Sequence, residues 1–351
     1  MRLPRGFLRA VLGIGISIVA LAIVVRSVDV AAAWAVLRDA DARWVAVLIL
    51  FVCADVTLRA VRWRVLLSPV ADVPVRTTLA SLLVGYLANN ILPARLGELV
   101  RTQDLGERTG LSRSMILGTI VVERVVDTVV VVGIAALAIL VLSVRGIVAS
   151  AVLVGLAVSA LLVLAIAVGI AAHRLPGAER AAAYIVRWPR LVEVLSRLRD
   201  GLAIATHARS MGIAVALTVA AWGCTVLGFT AAAQAVGVQP TIAQAALLAA
   251  GTNLSTAIPS APGYVGTFEL AALTIAGSIG IARESALAFA VLVHVTSLLI
   301  TSAGGAISFA LGQRARARRL ATRAAGPGTP GRDGTAPGVR IADDALRSRN
   351  P

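Results

Sequence analysis

The sequence contains no lysine, few aromatic residues and only two cysteines among its 351 residues. Cys53 and Cys224 lie in separate apolar runs, without the paired spacing that zinc sites and disulfide frameworks require. The three histidines are scattered, and the sequence has no phosphate-binding loop of the G-x-x-x-x-G-K-[ST] type. These absences argue against a metal centre, a disulfide-stabilised fold and an ATP-driven machine, and we expect no cofactor.

Apolar residues are present in great excess. They make up 58% of the chain, and the mean hydropathy is +0.88. A helical membrane protein needs such a composition, because both its interior and its lipid-facing surface are apolar. Abundant Gly and Ala suit close helix packing in a bilayer. The predicted fold class is an all-α polytopic membrane protein with about six to eight transmembrane helices and one or two re-entrant broken segments.

The net charge of +15 comes from arginine alone. Such a basic chain raises the possibility of nucleic-acid binding. However, the arginines lie at the ends of apolar segments and in the C-terminal tail, which is the usual topology signal of a membrane protein. We therefore expect membrane lipids as partners, and no nucleic acid.

The apolar runs define the domain organisation. The run 10–25 is long for a cleaved signal peptide and predicts a first membrane helix. Residues 1–311 are predicted to form one transmembrane domain, and 312–351 a disordered, basic cytoplasmic tail. Residues 173–210 predict a basic helix on the membrane surface. The other long helices are predicted over 44–60, 115–142, 147–172, 211–236 and 285–310.

The distribution of arginines predicts a multi-pass protein of the cell (cytoplasmic) membrane with both termini in the cytoplasm. The apolar run 77–92 is about 24 Å long as a helix, shorter than a hydrocarbon core of about 30 Å. We therefore expect 77–113 to be a re-entrant excursion from the cytoplasmic side. The segment 242–281 is either two crossings or a second hairpin from outside. Both segments carry an apolar helix, an Asn, a Pro, a Gly and a Glu in that order, which favours a loose inverted repeat.

Residues 89–127 form the most polar stretch between apolar runs. An ionisable side chain at mid-depth costs about 2.5 to 3.5 kcal/mol on insertion scales, so it needs a partner, water or a polar substrate. Pro93 and Gly97 free backbone groups, which is tolerated only beside protein or a water-filled cavity. The planar forks of Arg95 and Arg101 suit a phosphate. The candidate substrate-binding residues here are Asn89, Pro93, Arg95, Gly97, Glu98, Arg101, Glu123, Arg124 and Asp127.

The acids of this stretch are placed to hold its arginines. Glu123 and Asp127 are four residues apart on one helical face, with Arg124 beside them. In the functional interpretation, these acids and Glu98 orient the arginines or respond to protons. The alternative is a buried ion-pair network that only fastens the excursion to its neighbour. A pair outside this stretch, Asp55 with Arg59, is interpreted as structural.

A second polar stretch, 253–269, is broken by prolines and glycines. Its candidate substrate-binding residues are Asn253, Pro259, Pro262, Gly263, Gly266 and Glu269. Asn253 and Glu269, together with Asn89, are expected to contact the distal part of a headgroup. The alternative is an ordinary corner between two helices. We expect the two polar stretches to line one central site.

Three motifs occur in order: N-x3-P-x-R-x-G-E-x2-R, then E-R-x2-D, then P-x2-P-G-x2-G-x2-E. Their order resembles that of the flippase-like membrane family known as the lysylphosphatidylglycerol synthase transmembrane region, over about residues 10–310. The resemblance implies a helical domain that translocates lipids with polar headgroups. In some members this domain is fused to a soluble aminoacyl-transferase domain. Only about forty residues follow Leu311 here, so we expect no enzymatic activity to carry over.

The resulting expectation is a transporter, not an enzyme, for an anionic or zwitterionic phospholipid or a lipid-linked glycan. The alternative is a non-transporting accessory subunit that presents lipid-linked substrate to a separate glycosyltransferase, ligase or other lipid-modifying enzyme. An intramembrane enzyme is the weakest alternative, because catalytic helpers are sparse.

Overall fold

The computed structural model of the chain describes residues 5–92, 96–171 and 207–324, and within these ranges it contains helices and no strand. A 3-10 turn over Pro262–Tyr264 interrupts the second polar stretch. The helices are α1 Arg5–Ser27, α2 Val30–Arg38, α3 Ala42–Leu67, α4 Val75–Ile91, α5 Gly97–Thr109, α6 Arg113–Leu142, α7 Ile147–Ala171, α8 Ala208–Ala235, α9 Ile242–Ser255, α10 Thr267–Ser278 and α11 Arg283–Ala324.

Four of the described helices, α3, α6, α8 and α11, are long and apolar enough to cross a membrane. Helices α1 and α2 qualify as a fifth span if they are taken together, although they meet at an angle of 85°. The predicted all-helical, multi-pass architecture is thus confirmed, while the number of six to eight spans stays a prediction. The helix α2, which the sequence analysis did not predict, begins where the Asp29 side chain accepts from the Ala31 and Ala32 amides.

Small side chains bring the central helices close together. Helices α3 and α8 pack along each other, α9 and α11 pack against α8, and α10 packs against α9 and α11. The fully buried residues of this core include runs of alanine on α8, α9 and α11. Alanine lets helix backbones approach closely, which maximises van der Waals contact where lipid supplies no hydrophobic driving force. The abundance of Ala in the sequence therefore has a direct structural role.

The segments 77–113 and 242–281 each contain a hairpin of two short helices. Helix α4 packs on α5, and α9 packs on α10. Positive φ angles at Gly263 (70°) and Gly266 (88°) turn the chain between α9 and α10, a conformation that glycine adopts without strain. The turn Pro262–Tyr264 also packs against α4, so the two hairpins touch. Their membrane insertion and the inverted repeat stay predictions.

Two sequence expectations fall at the edges of the described ranges. The last helix runs past Leu311, where a disordered tail was predicted to begin, and ends at Ala324. Residues 313–324 contain only helix-compatible residues and no Gly or Pro, which explains the extension. Most of the predicted surface helix, 173–210, lies outside the described residues.

Candidate functional site

A polar cavity of about 290 Å³ lies between the two hairpins. Helices α3, α4, α8 and α11 form most of its walls, with α5 and α6 contributing one charged side chain each. Both polar stretches reach it, the first through Asn89, Asn90 and Glu98, the second through Asn253 and Thr256. Its other polar or titratable lining residues are Asp55, Arg59, Tyr86, Arg124, Cys224, Thr225, Tyr264, His294, Ser297 and Thr301.

A larger crevice of about 1260 Å³ adjoins this cavity and is mainly apolar. Aliphatic side chains from α1, α6, α7, α9 and α10 line it. Four residues line both spaces: Arg59, Arg124, Asn253 and Thr256. Two guanidinium groups and two neutral polar groups therefore stand where the polar cavity meets the apolar crevice.

A buried ion-pair network lies behind this boundary. Arg62, whose side chain is 1% exposed, donates through Nη1 and Nη2 to the two carboxylate oxygens of Asp127, at 2.5 and 3.0 Å. The same guanidinium lies 3.2 Å from Glu123 Oε1 and donates to Thr218 Oγ1 at 3.0 Å. Two-point pairing with additional hydrogen bonds is the geometry that a desolvated guanidinium requires. This part of the network fastens α3 to α6 and α8.

Arg101 belongs to the buried network and lines neither of the two spaces described above. Its Nη2 donates to Glu123 Oε1 at 3.0 Å, and its guanidinium carbon lies 4.8 Å from the centre of the Trp63 ring. Its side chain is 4% exposed. The contacts of Arg101 thus match the alternative that the sequence left open, an ion pair that fastens α5 to α6.

Arg124 and Arg59 are the network arginines that face the open spaces. Arg124 keeps 45% of its side chain exposed while its Nη2 donates to Glu123 Oε1 at 2.6 Å and lies 3.4 Å from Asp127 Oδ2. Arg59 donates through Nε to both oxygens of Asp55 at 2.9 Å, and its guanidinium carbon lies 5.3 Å from the Trp222 ring centre. Both arginines are held by acids and neighbours before any ligand arrives.

Counted over the residues that the structure describes, the network carries an excess of positive charge. It contains four arginines (Arg59, Arg62, Arg101, Arg124) and three carboxylates (Asp55, Glu123, Asp127), which leaves one positive charge when all are ionised. A phosphodiester carries one negative charge. The exposed face of Arg124 makes the boundary suitable for an anionic group, while the Glu98 carboxylate in the same cavity carries the opposite charge.

The first polar stretch is ordered by side chain to backbone contacts. Asn89 Oδ1 accepts from the Gly97 amide at 2.8 Å and so satisfies a donor at the start of α5. Glu98 lines the polar cavity, and its carboxylate makes no hydrogen bond or ion pair with the residues that the structure describes. Pro93 and Arg95, two of the predicted site residues, lie outside the described residues.

The second polar stretch is fastened to the rest of the molecule by Glu269. Its Oε2 accepts from the Gly266 amide at 2.7 Å, and its Oε1 lies 2.6 Å from Nδ1 of His294 on α11. His294 Nε2 lies 2.6 Å from the Gly263 carbonyl oxygen. Pro259 is exposed and Pro262 half-buried in the turn, and neither lines the polar cavity. Of the candidates in this stretch, Asn253 lines both spaces directly.

The structure brings to the site several residues that were not predicted from the sequence. Arg59 was interpreted as half of a structural pair, and Arg62 was not predicted as a site residue. Their spacing of three residues on an apolar helix was the available signal, because it puts both guanidinium groups on one face. For His294 the signal was a lone ionisable residue inside a long apolar helix. Tyr86 carried no such signal.

Comparison with known proteins gives one match. The sequence model of the family described as "Lysylphosphatidylglycerol synthase TM region" matches residues 10–305. No curated protein and no solved structure matches the chain. The matched range includes both polar stretches and every described residue that lines the two spaces.

Proposed function

As the chain belongs to the lysylphosphatidylglycerol synthase transmembrane region family, we propose that it moves a phosphate-bearing lipid across the cytoplasmic membrane. The substrate is an anionic or zwitterionic phospholipid, or a lipid-linked glycan. Its headgroup occupies the polar cavity and its acyl chains occupy the apolar crevice. No covalent step is part of this proposal.

The observation that carries the proposal is the position of Arg59 and Arg124 in the wall that both spaces share. A lipid places its phosphate between a polar headgroup and apolar chains. The two spaces have the same arrangement, with the guanidinium groups at the boundary. An arginine that is already oriented by carboxylates loses little freedom when it binds a phosphate.

The remainder of the polar cavity suits hydroxyl and amine groups of a headgroup. Asn253 and Thr256 stand beside the arginines, and Asn90 donates to the hydroxyls of Thr301 and Ser302 at 3.0 and 2.9 Å. These neutral side chains donate hydrogen bonds to, and accept them from, the hydroxyls of a sugar or glycerol, and they add no charge to the cavity. Both termini are proposed to lie in the cytoplasm, as the arginine distribution predicts.

The test is lipid movement in vesicles that contain the purified chain and a fluorescent phospholipid. A reagent that cannot cross the bilayer quenches the outer leaflet, and the fraction of lipid that becomes accessible reports movement between leaflets. We expect wild-type vesicles to lose protected signal faster than empty vesicles, and Arg124→Gln to abolish the difference. The matched control is Arg145→Gln, because Arg145 is exposed and lines neither space.

The same experiment distinguishes transport from the alternative function. If wild-type vesicles move lipid no faster than empty ones, transport is rejected. If the chain then still binds the fluorescent lipid and Arg124→Gln weakens that binding, the result favours an accessory subunit that presents lipid-linked substrate to a separate enzyme.

A further inference from the structure

Glu269 and His294 form a buried ionisable pair that has no part in the proposed binding of the phosphate by Arg59 and Arg124. His294 is 7% exposed and Glu269 is 8% exposed. Both ring nitrogens of His294 lie 2.6 Å from an oxygen atom, Nδ1 from Glu269 Oε1 and Nε2 from the Gly263 carbonyl. A buried ionisable pair inside a membrane helix bundle is costly and calls for a specific role.

The geometry sets the number of protons in this pair. A carbonyl oxygen only accepts hydrogen bonds, so Nε2 of His294 carries a proton that it donates to Gly263. The short contact between Nδ1 and Glu269 Oε1 then needs a second proton, because two lone pairs would otherwise face each other. Whether that proton belongs to the ring or to the carboxyl group, the pair holds one proton more than a neutral imidazole and a carboxylate.

With this extra proton, hydrogen bonds attach the turn between α9 and α10 to His294 on α11. His294 reaches Gly263 on one side of the turn, and through Glu269 it reaches the amide of Gly266 on the other. The ring of Phe268 covers His294, with the ring centres 4.5 Å apart. If the second proton leaves, one of the two short contacts of the imidazole must break. The turn then loses part of its attachment to α11.

The pair is connected to the headgroup site through the polar cavity, because His294 lines that cavity. The turn that the pair holds follows α9, whose Asn253 stands at the boundary with the apolar crevice. The other titratable or charged side chains that line the cavity are Asp55 and Arg59 on α3, Tyr86 on α4, Glu98 on α5, Arg124 on α6, Cys224 on α8 and Tyr264 in the turn. Asp55, Arg59 and Arg124 are paired within the ion-pair network.

We propose that Glu269 and His294 form a proton-binding site that couples protonation to movement of the turn 256–266 during lipid transport. With the proton bound, the turn is fastened to α11 and the two hairpins stay in contact. Release of the proton frees the turn and lets a headgroup pass between the hairpins. If the two conformations of the turn bind the proton with different affinities, proton binding shifts the equilibrium between them.

This inference rests on the proposed transport, but its first test does not. Spin labels are placed at Ile258→Cys and Leu299→Cys, two exposed positions, in a background with Cys53→Ala and Cys224→Ala. The distance between the labels is measured in lipid vesicles at a series of pH values from about pH 5 to about pH 8. We expect one narrow distance at the acidic end and a broader or longer distribution at the other.

Variants test whether the pH dependence of the spin-label distance comes from Glu269 and His294. His294→Gln and Glu269→Gln should each remove the pH dependence of the distance. His207→Gln is the matched control, because His207 is exposed and lies outside the cavity. Glu98→Gln removes a different titratable group from the cavity and should keep the response.

Lipid movement is the second readout. We expect it to be at least about fivefold faster at the less acidic end in the wild type, the lower limit of typical coupling between sites, and to be independent of pH in His294→Gln. A distance that is the same across the pH range in the otherwise unchanged protein overturns the proton site, even if His294→Gln does not fold. An unaltered pH response in a folded His294→Gln does the same. Wild-type vesicles without lipid movement reject transport, while the spin-label distances still decide the proton site.

Discussion

Arg62 and Asp127, 65 residues apart in sequence, meet through two nitrogen–oxygen contacts of 2.5 and 3.0 Å inside the helix bundle. The contact joins α3 to α6 and stands behind the boundary between the polar cavity and the apolar crevice. Asp127 also lies 3.6 Å from Arg59 and 3.4 Å from Arg124. Arg62 therefore stabilises the carboxylate that positions the two cavity-facing arginines.

Removing Arg62 should destabilise the fold. In Arg62→Met, Asp127 loses its two-point partner while it stays buried, and loss of one member of a buried pair costs about 3–5 kcal/mol. Chemical unfolding of the purified protein in detergent measures the difference. Arg64→Met is the control, because the pair of Arg64 with Asp72 is exposed and such pairs contribute at most about 1 kcal/mol. Equal losses in the two variants would contradict the structural role of Arg62.

Gly97 should not tolerate a methyl group. A Cβ atom there would meet the Gly85 carbonyl oxygen and lie 2.5 Å from Asn89 Oδ1, so Gly97→Ala should separate α4 from α5. We expect a loss of about 1–3 kcal/mol, as for other overpacked sites. Gly212→Ala is the matched control, because a Cβ atom there meets nothing within 4 Å. It should be neutral or stabilising, since Gly in a helix interior is less favourable than Ala by about 0.5–1 kcal/mol. Thermal unfolding of both variants decides this, and a stable Gly97→Ala protein would refute the close contact.

Filling the apolar crevice should slow lipid movement without unfolding the protein. Gly15 lines the crevice, and a Cβ atom there has no neighbour within 4 Å, so Gly15→Leu projects a side chain into the proposed acyl-chain path. Gly133→Leu is the control, because Gly133 has the same free space but does not line the crevice. We expect several-fold slower lipid movement in Gly15→Leu alone. If Gly15→Leu moves lipid at the wild-type rate, acyl chains do not occupy this crevice.

Glu98 should influence which headgroup is preferred. Its carboxylate faces the polar cavity without a partner among the described residues, so it favours a headgroup amine and disfavours additional negative charge. Glu98→Gln should shift the ratio of transport rates from zwitterionic towards anionic fluorescent lipids. Glu107→Gln is the control, since Glu107 pairs with Arg316 outside the cavity. An unchanged ratio would show that Glu98 does not contact the headgroup.

The family and the general location of the polar cavity were predictable from the sequence. Prolines, glycines and charges between apolar runs are so costly in a bilayer that they mark a polar site without any structure. The two polar stretches do come together, and Asn89, Glu98, Arg124 and Asn253 line one cavity.

The sequence did not predict which arginines are buried in ion pairs and which face the two spaces. Arg101 and Arg124 have the same chemistry and lie in the same polar stretch, yet one is buried against Trp63 and the other faces both spaces. Sequence spacing shows which side chains share a helix face. It does not show whether that face meets a neighbouring helix or an open space, because this depends on how helices distant in sequence pack.

The sequence by itself determined that this chain is a helical membrane protein with two interrupted segments, because hydropathy and backbone breakage are local properties of the residues. Only the tertiary structure decided which charges neutralise each other and which remain available. Ion pairs such as Arg62 with Asp127, and contacts such as His294 with Glu269, join different helices. Their energies depend on distance and desolvation in the packed bundle, and neither quantity is encoded in the spacing of residues along the chain.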